Sequence, residues 1–310
     1  IEKRDHIGGN CYDFKNKDGI LIHKYGPHIF HTDYKDVWDY ISQFTDWFYY
    51  QHKVLGLIDG RLAPIPFNLN TLYELFPLKF AQKLEEKLIN KFGYNKKIPI
   101  LDLKKTKDKD LKFLADFVYE KIFLHYTEKQ WSLKPEEIDA SVTARVPVVI
   151  SRDDRYFQNK YQGMPKEGYV KMFEKMLQNE NIEVQLNTDY KKLKNKIKYN
   201  FLFYTSPIDE FFNYKYGRLD YRCLKLDFQT FNQESYQPSA VVNYPNNYDF
   251  TRIIEFKKLT QQNHRKTTIG IEYPGNEGFM AYPVLDEKNK KLFQKYLKEA
   301  EKLKKQNIYF

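Results

Sequence analysis

Hydrophobic positions along the 310-residue chain fall into two rhythms. Val37, Tyr40, Ile41 and Phe44 recur at helical spacing, which predicts a helix over 33–44 with Thr32 or Asp33 as its cap. A strand rhythm follows. Val54-Leu55-Gly56-Leu57-Ile58, then Asp59-Gly60, then Arg61-Leu62-Ala63 predict a hairpin, because an Asp-Gly pair accepts the positive φ angles of a tight turn. Residues 70–92 and 110–126 read as amphipathic helices separated by a loop rich in Lys and Asp. Beyond residue 221 the pattern shortens into strands at 224–228, 240–244, 252–256 and 267–271. Helices at 169–177 and 287–303 flank two more strands, 183–186 and 201–204, and 307–310 reads as a strand after the long helix. Residues 6–25 read as loop and turn, broken by Gly8-Gly9 and Asp18-Gly19. With no internal repeat, the expected architecture is mixed α/β, with a helical insert and an antiparallel sheet.

Composition narrows the function classes. At 42% hydrophobic and 30% charged residues the chain is globular rather than disordered, and its length allows two or three packed units. No run of about 18 uncharged apolar residues occurs, and the opening Ile1-Glu2-Lys3-Arg4-Asp5 does not read as a signal peptide, so no membrane insertion is expected. Cys11 and Cys223 are too few for a disulfide scaffold or a four-ligand zinc site and fit a reducing cytoplasm. The net charge of +10 is spread over stretches such as 79–97 and 288–305. That spread reads as solvated helix faces rather than a nucleic-acid stripe, with acidic small-molecule phosphates as the second candidate partner. Aromatic residues, at 17%, fill cores but also stack on bases and sugars.

Several clusters carry candidate chemistry. Ile1-Glu2-Lys3-Arg4 resembles the end of a β-strand with an acid at its tip, the position that holds a ribose hydroxyl in a dinucleotide fold. In such a fold a glycine-rich turn lies upstream, here before residue 1. Gly8-Gly9 lets backbone N–H groups approach a phosphate, with Arg4 adding charge, although a plain loop explains the pair as well. His28 and His31 suggest a metal pair, but without clustered Cys or carboxylates they are better explained by packing or hydrogen bonding. Tyr126 and Trp131 sit five residues apart at a helix end, as core anchors or as a stacking platform for a base and a sugar. Arg145, Arg152, Asp153, Asp154, Arg155, Tyr156 and Phe157 form an exposed ion-pair loop or an anion site. Arg252 lies among apolar strand neighbours, where a guanidinium needs an anionic partner. Ser141, Ser151 and Ser206 lack the context of a nucleophile, which points to a cofactor for any reactive group.

Seven segments in order tie these clusters together. They are Ile1-Glu2-Lys3-Arg4-Asp5-His6-Ile7-Gly8-Gly9-Asn10, Tyr25-Gly26-Pro27-His28-Ile29-Phe30-His31-Thr32, Pro66-Phe67-Asn68-Leu69-Asn70, Tyr126-Thr127-Glu128-Lys129-Gln130-Trp131, Tyr161-Gln162-Gly163-Met164-Pro165, Tyr216-Gly217-Arg218-Leu219 and Phe250-Thr251-Arg252-Ile253. Their order and wording resemble the bacterial UDP-galactopyranose mutases, FAD-dependent flavoproteins, over essentially the whole chain. The resemblance implies that Glu2, Arg4, Gly8, Gly9 and Asn10 hold the FAD ribose and pyrophosphate, with His28 and His31 beside the isoalloxazine ring. It implies that Tyr126 stacks on uracil with Phe123 nearby, and that Trp131 lies next to the sugar. Arg145 and Tyr156 match diphosphate ligands, Arg252, Glu272 and Tyr282 match residues near the diphosphate and sugar, and Asn68 and Asn243 are weaker matches. Of these, Arg145, Arg252, His28 and His31 are the expected catalytic residues, and no metal is expected.

The resemblance further implies interconversion of UDP-galactopyranose and UDP-galactofuranose through an adduct between reduced flavin N5 and the sugar. A cytoplasmic homodimer acting on a UDP-sugar, with no nucleic-acid partner, belongs to the same implication. The implied fold is a Rossmann-like FAD-binding domain in parts 1–66, 163–204 and 285–310, a helical insert over 67–150 and an antiparallel sheet domain at 151–162 and 205–284. Departures occur where Val149 replaces a second loop arginine, for which Arg152 is a candidate substitute, and where Phe250 replaces a tyrosine. The family's upstream Gly-x-Gly-x-x-Gly and its second Gly-Arg-Leu segment, downstream of the one at 217–219, are not among residues 1–310, so that stretch on its own is expected to bind FAD poorly. Two other readings compete: a different FAD enzyme of the amine oxidase-like fold, and a non-enzymatic nucleotide-binding protein.

Overall fold

Seven strands form the largest sheet of the computed structural model, which describes residues 1–194 and 196–310. Their order is Phe279–Pro283, Tyr221–Phe231, Thr267–Gly275, Arg252–Glu255, Val241–Asn243, Val54–Ile58 and Arg61–Ile65. Every neighbouring pair is antiparallel except Val241–Asn243 with Val54–Ile58, which run parallel. The hairpin expected at 54–63 is therefore present and joins the sheet of residues 221–283. All four strands read after residue 221 are present, and Tyr221–Phe231 and Thr267–Gly275 run longer than their patterns suggest. The strand Phe279–Pro283 has no counterpart in the sequence pattern. It depends on Gly278 at φ +107°, where a Cβ would meet Leu224 O at 2.1 Å, so only glycine lets the chain turn against its neighbour.

A second, three-stranded antiparallel sheet orders Phe30–Thr32, Tyr161–Pro165 and Trp47–Tyr49. The helix beside it is Lys35–Ile41, shorter than the pattern over 33–44. The reason is competition for its caps: Asp33 accepts hydrogen bonds from Asn159 Nδ2 and Lys160 N, and Thr32 Oγ1 accepts only from Tyr34 N. Residues 6–25 are also more ordered than a loop. Asp13–Lys15 and Leu21–His23 pair as a hairpin, tightened by Asn16 Oδ1 accepting from Asp18 N and Ile20 N.

In the helical layer, the stretch read as one helix over 70–92 is two, Leu69–Leu75 and Leu78–Phe92, interrupted at Phe76-Pro77. Proline removes a donor and pushes its predecessor to extended backbone, which ends the first helix. The 110–126 pattern likewise divides into an α-helix Lys109–Val118, a π-helical stretch Tyr119–Leu124 and an α-helix His125–Trp131. Leu72, Leu84, Leu88, Leu111, Leu114 and Val118 bury their side chains between these helices and the sheet.

Helices Tyr169–Met176 and Glu287–Leu303 match their expected spans. The first is capped from a distance, by Asp13 accepting from Tyr169 N and Val170 N. Leu202–Phe203 and Ile308–Tyr309 pair in parallel, as two of the expected short strands. Residues 183–186 form no strand. They lie beside the amino end, where Glu2 N donates to Gln185 O and Asn187 N and Thr188 N donate to Arg4 O and Glu2 O. Both segments are too exposed and too briefly matched to propagate a ladder.

Candidate active site

Arg252 and Glu272 stand directly opposite each other on adjacent antiparallel strands. Arg252 Nε and Nη2 donate to Glu272 Oε2 at 2.9 and 2.6 Å, while Glu272 Oε1 accepts from Thr251 Oγ1 at 2.9 Å. Glu272 is fully buried. The anionic partner that Arg252 required is thus supplied inside the protein. Burial works against the Arg252 charge, but the Glu272 carboxylate, aided by Tyr126 and Tyr282, holds the guanidinium protonated. Among the described residues Arg252 Nη1 has no protein partner, so one edge of the guanidinium is fixed and another is left for an incoming anion. Asn243 faces Arg252 from the strand on its other side.

Three tyrosines surround this pair. Burial pushes the Tyr126 phenol up against the pull of Arg252, and burial likewise pushes the Tyr156 phenol up against Arg252 and Arg145. Tyr282 lies on the Phe279–Pro283 strand, its ring 5.8 Å from that of Trp131. Tyr126 lies in the first turn of the short α-helix His125–Trp131, and Trp131 closes it. Arg222 holds the end of that helix, with Nε and Nη2 donating to the carbonyls of Gln130 and Lys129. Phe123 is buried in the preceding π-helical stretch and packs into the core. Arg145 follows the helix Ala140–Ala144, is exposed, and makes no ion pair among the described residues.

Two expectations change on inspection. Asn68 is occupied by its own chain: its side-chain oxygen accepts from Asn70 N and Thr71 N, capping the Leu69–Leu75 helix, and its amide donates to Asp153 O and Asp154. Arg152 does not stand in for the arginine absent at Val149. It is paired with Glu85 through two 2.7 Å hydrogen bonds and lies over the Tyr73 ring, while Val149 is buried in a short strand.

Sequence reading missed His52. This imidazole is buried beside Tyr156, ring centroids 5.7 Å apart, with Nδ1 bonded to Tyr50 OH. Burial, together with the charges of Arg252 and His31, pushes its pKa down to about 3 and keeps it neutral. His52 lies at the start of the Val54–Ile58 strand, outside any motif, and only the fold brings it to the site. His28 and His31 are near the same group. His28 Nδ1 meets Gly26 O and its pKa is lowered by burial, while His31 stacks on Phe157 at 3.8 Å and bonds Asn159. Gly26, at φ +94°, lets the Tyr25–His28 turn approach Glu272 Oε2, which lies 3.8 Å from where its Cβ would be.

The amino-terminal cluster is continuous with that turn. Arg4 Nη2 donates to Asn10 Oδ1 at 2.9 Å, Arg4 N donates to Glu2 Oε1, and the guanidinium lies 4.7 Å over the Tyr25 ring. Gly8 and Gly9 take φ +85° and +54°, and a Cβ at Gly9 would meet nothing within 4 Å. Arg4 Nη1 is buried with no partner among the described residues. A buried cationic donor beside open glycine backbone fits the ribose and pyrophosphate of a dinucleotide.

Comparisons with known proteins identify the family. Residues 121–310 match the family profile of UDP-galactopyranose mutase, and residues 1–44 match that of NAD(P)-binding Rossmann-like domains. A probable UDP-galactopyranose mutase from Klebsiella pneumoniae is 37% identical, over 100% of this chain and 80% of its own length. A dTDP-fucopyranose mutase from Escherichia coli is 34% identical over 97% of this chain and 82% of its own. Among solved structures, that of a reduced UDP-galactopyranose mutase superposes with a TM-score of 0.70 at 13% identity, covering 99% of this chain and 82% of the other. With its α/β fold and Rossmann-like amino-terminal region, the chain belongs to the UDP-galactopyranose mutase family of isomerases.

Proposed function

We propose that the protein interconverts UDP-galactopyranose and UDP-galactofuranose with FAD as its cofactor, active when reduced. The observation that carries this reading is the group of Arg252, Glu272, Tyr126, Tyr156 and Tyr282, a fixed cation ringed by aromatic hydroxyls with one guanidinium edge unclaimed. Bound reduced flavin would supply the nucleophile toward the anomeric carbon, chemistry for which the protein offers no activated side chain. Glu2, Arg4, Gly8, Gly9 and Asn10 would hold its ribose and pyrophosphate, and His28 and His31 would lie beside its ring.

The protein's own groups then bind, orient and neutralise. Arg252 presents Nη1 to the diphosphate where negative charge accumulates as UDP leaves, and Glu272 keeps the guanidinium from turning away. Arg145, exposed and unengaged by any carboxylate among the described residues, closes from the opposite side with Tyr156. Tyr126 offers its face to the uracil above Phe123, Trp131 meets the sugar with Tyr282, and Asn243 adds a polar contact beside Arg252. His52 stays neutral, so it adds no positive charge next to the flavin-side histidines. Asn68 acts through Asp154 rather than on substrate. The enzyme works as a cytoplasmic homodimer, without nucleic acid; no helix among the described residues is long and apolar enough to cross a membrane.

The test uses full-length protein loaded with FAD. UDP-galactofuranose should turn over after reduction with dithionite and not before it, with dTDP-fucofuranose as the competing substrate because of the dTDP-fucopyranose relative. Equal rates with oxidised and reduced flavin, or a preference for the fucose nucleotide, would overturn the reading.

A further inference from the structure

One charged side chain at the site is used neither by the substrate contacts nor by the cofactor contacts. Lys129 lies on the His125–Trp131 helix, between Tyr126 and Trp131, yet its ammonium points away from both toward backbone. Nζ donates to Tyr244 O at 2.5 Å and to Phe250 O at 3.0 Å. These carbonyls flank the loop 245–249, which joins the strand carrying Asn243 to the strand carrying Arg252. The loop is closed at its base by Tyr244 N donating to Thr251 O. Thr251 in turn donates from its backbone to Glu272 O and from its hydroxyl to Glu272 Oε1. The ammonium therefore ties the helix of Tyr126 directly to the backbone two residues before Arg252. Half-burying a lysine is costly, and burial lowers its pKa to about 8, a cost that the two carbonyl acceptors offset.

We propose that Lys129 is a positioning residue that sets the spacing between the base platform at Tyr126 and the diphosphate arginine Arg252. The inference rests on the nucleotide-sugar reading of the site. Carbonyls converging from two ends of a loop need a donor able to bond both, and an ammonium supplies three N–H groups without a fixed plane. The helix itself does not depend on this contact. Arg222 still holds its last carbonyls, and Asn246 Nδ2 still donates to Lys121 O in the π-helical stretch before it. Loss of the ammonium should let the spacing between the Tyr126 helix and the sheet end carrying Arg252 relax, while Arg252 stays paired with Glu272 and Tyr126 stays in its helix.

The experiment compares two probes on the full-length holoenzyme. Uridine reports the base site alone, whereas UDP reports base and diphosphate sites held at the right separation. Lys129→Met should weaken UDP tenfold or more and raise KM for the UDP-sugar, with uridine affinity within twofold of wild type. Lys129→Gln, which donates but is too short to reach both carbonyls, should show the same split, and Lys129→Arg should recover part of the UDP affinity. Equal losses for uridine and UDP would reduce Lys129 to a packing residue, and so would a lowered melting temperature with both affinities intact. Unchanged UDP affinity in the Met and Gln variants would also overturn the proposal. Wild-type protein that fails to bind UDP would overturn the nucleotide-sugar reading itself, and this inference with it.

Discussion

The pocket around Arg252 and the amino-terminal arm around Arg4 both place a guanidinium at a proposed phosphate site, but they are built differently. Arg252 stands on a seven-stranded sheet, with Glu272 and Asn243 as cross-strand neighbours. Both carboxylate oxygens of Glu272 are engaged, so the Arg252–Glu272 pair is held by the protein itself. Arg4 lies on a segment with no strand of its own, held by three backbone bonds to residues 185–188 and by its contact with Asn10. It keeps a buried Nη1 without a partner among the described residues. The contrast teaches that the Arg252 pair is organised by the protein alone, whereas the Arg4 side leaves a donor for a bound group to organise, as the proposed FAD would.

Acid should have the largest effect, acting through His52 beside Tyr156 in the pocket and through His23 in the amino-terminal hairpin beside Tyr169. His23 and His52 are held neutral by burial with pKa values near 3, against about 6.5 in the unfolded chain. Because the folded-state values are depressed, the stability tied to the neutral rings is complete above pH 6.5 and is lost progressively as pH falls toward 3. Each tenfold loss of proton affinity on folding corresponds to about 1.4 kcal/mol, so the two histidines together account for a loss of several kcal/mol near pH 4. Chemical denaturation at pH 7, 5 and 4 measures it, and a stability flat across that range would show that the rings are not held neutral.

Arg252→Ala comes next. Removing one fixed donor from developing charge costs about 2.7–4 kcal/mol of transition-state stabilisation, roughly a hundred- to thousandfold in kcat. It also strands Glu272 unpaired and buried, so the melting temperature should fall; Arg252→Ala with Glu272→Gln should recover the melt but not the activity. On the cofactor side, Arg4→Met removes a charge-assisted contact worth about 1.5–3 kcal/mol. Flavin absorbance of the purified variant should drop while UDP binding persists, which is the sharpest test that the two sides are independently organised.

A smaller effect is expected at Tyr126→Ala, about 1–3 kcal/mol of UDP affinity for a lost base-stacking ring, read by titration calorimetry. Arg152→Ala should do least. Its pair with Glu85 is half-exposed, and such pairs contribute about 0–1 kcal/mol. A kcat loss at Arg152 matching that at Arg145 would show that the diphosphate clamp includes it after all.

Local chemistry made much of the architecture legible. Apolar rhythm and Asp-Gly turn chemistry located the 54–65 hairpin, and helical rhythm located Tyr169–Met176 and Glu287–Leu303 within a residue at their ends. Ordered motifs identified the family and most of the residues that gather at the pocket. The break at Phe76-Pro77 was also written locally, in a proline that the amphipathic rhythm on either side obscured. Other features depend on partners distant in the chain. Asp33 looks like a helix cap until Asn159 and Lys160 occupy it, and Asn68 looks like a ligand until its own helix takes it. His52 carries no motif and becomes part of the site only because its strand runs beside Val241–Asn243. That Glu272, of all the carboxylates in the chain, faces Arg252 is a matter of strand register, and that Lys129 reaches Phe250 spans 121 residues. Periodicity reports which face of an element is buried; which group meets it there is set by long-range packing, which no local pattern encodes.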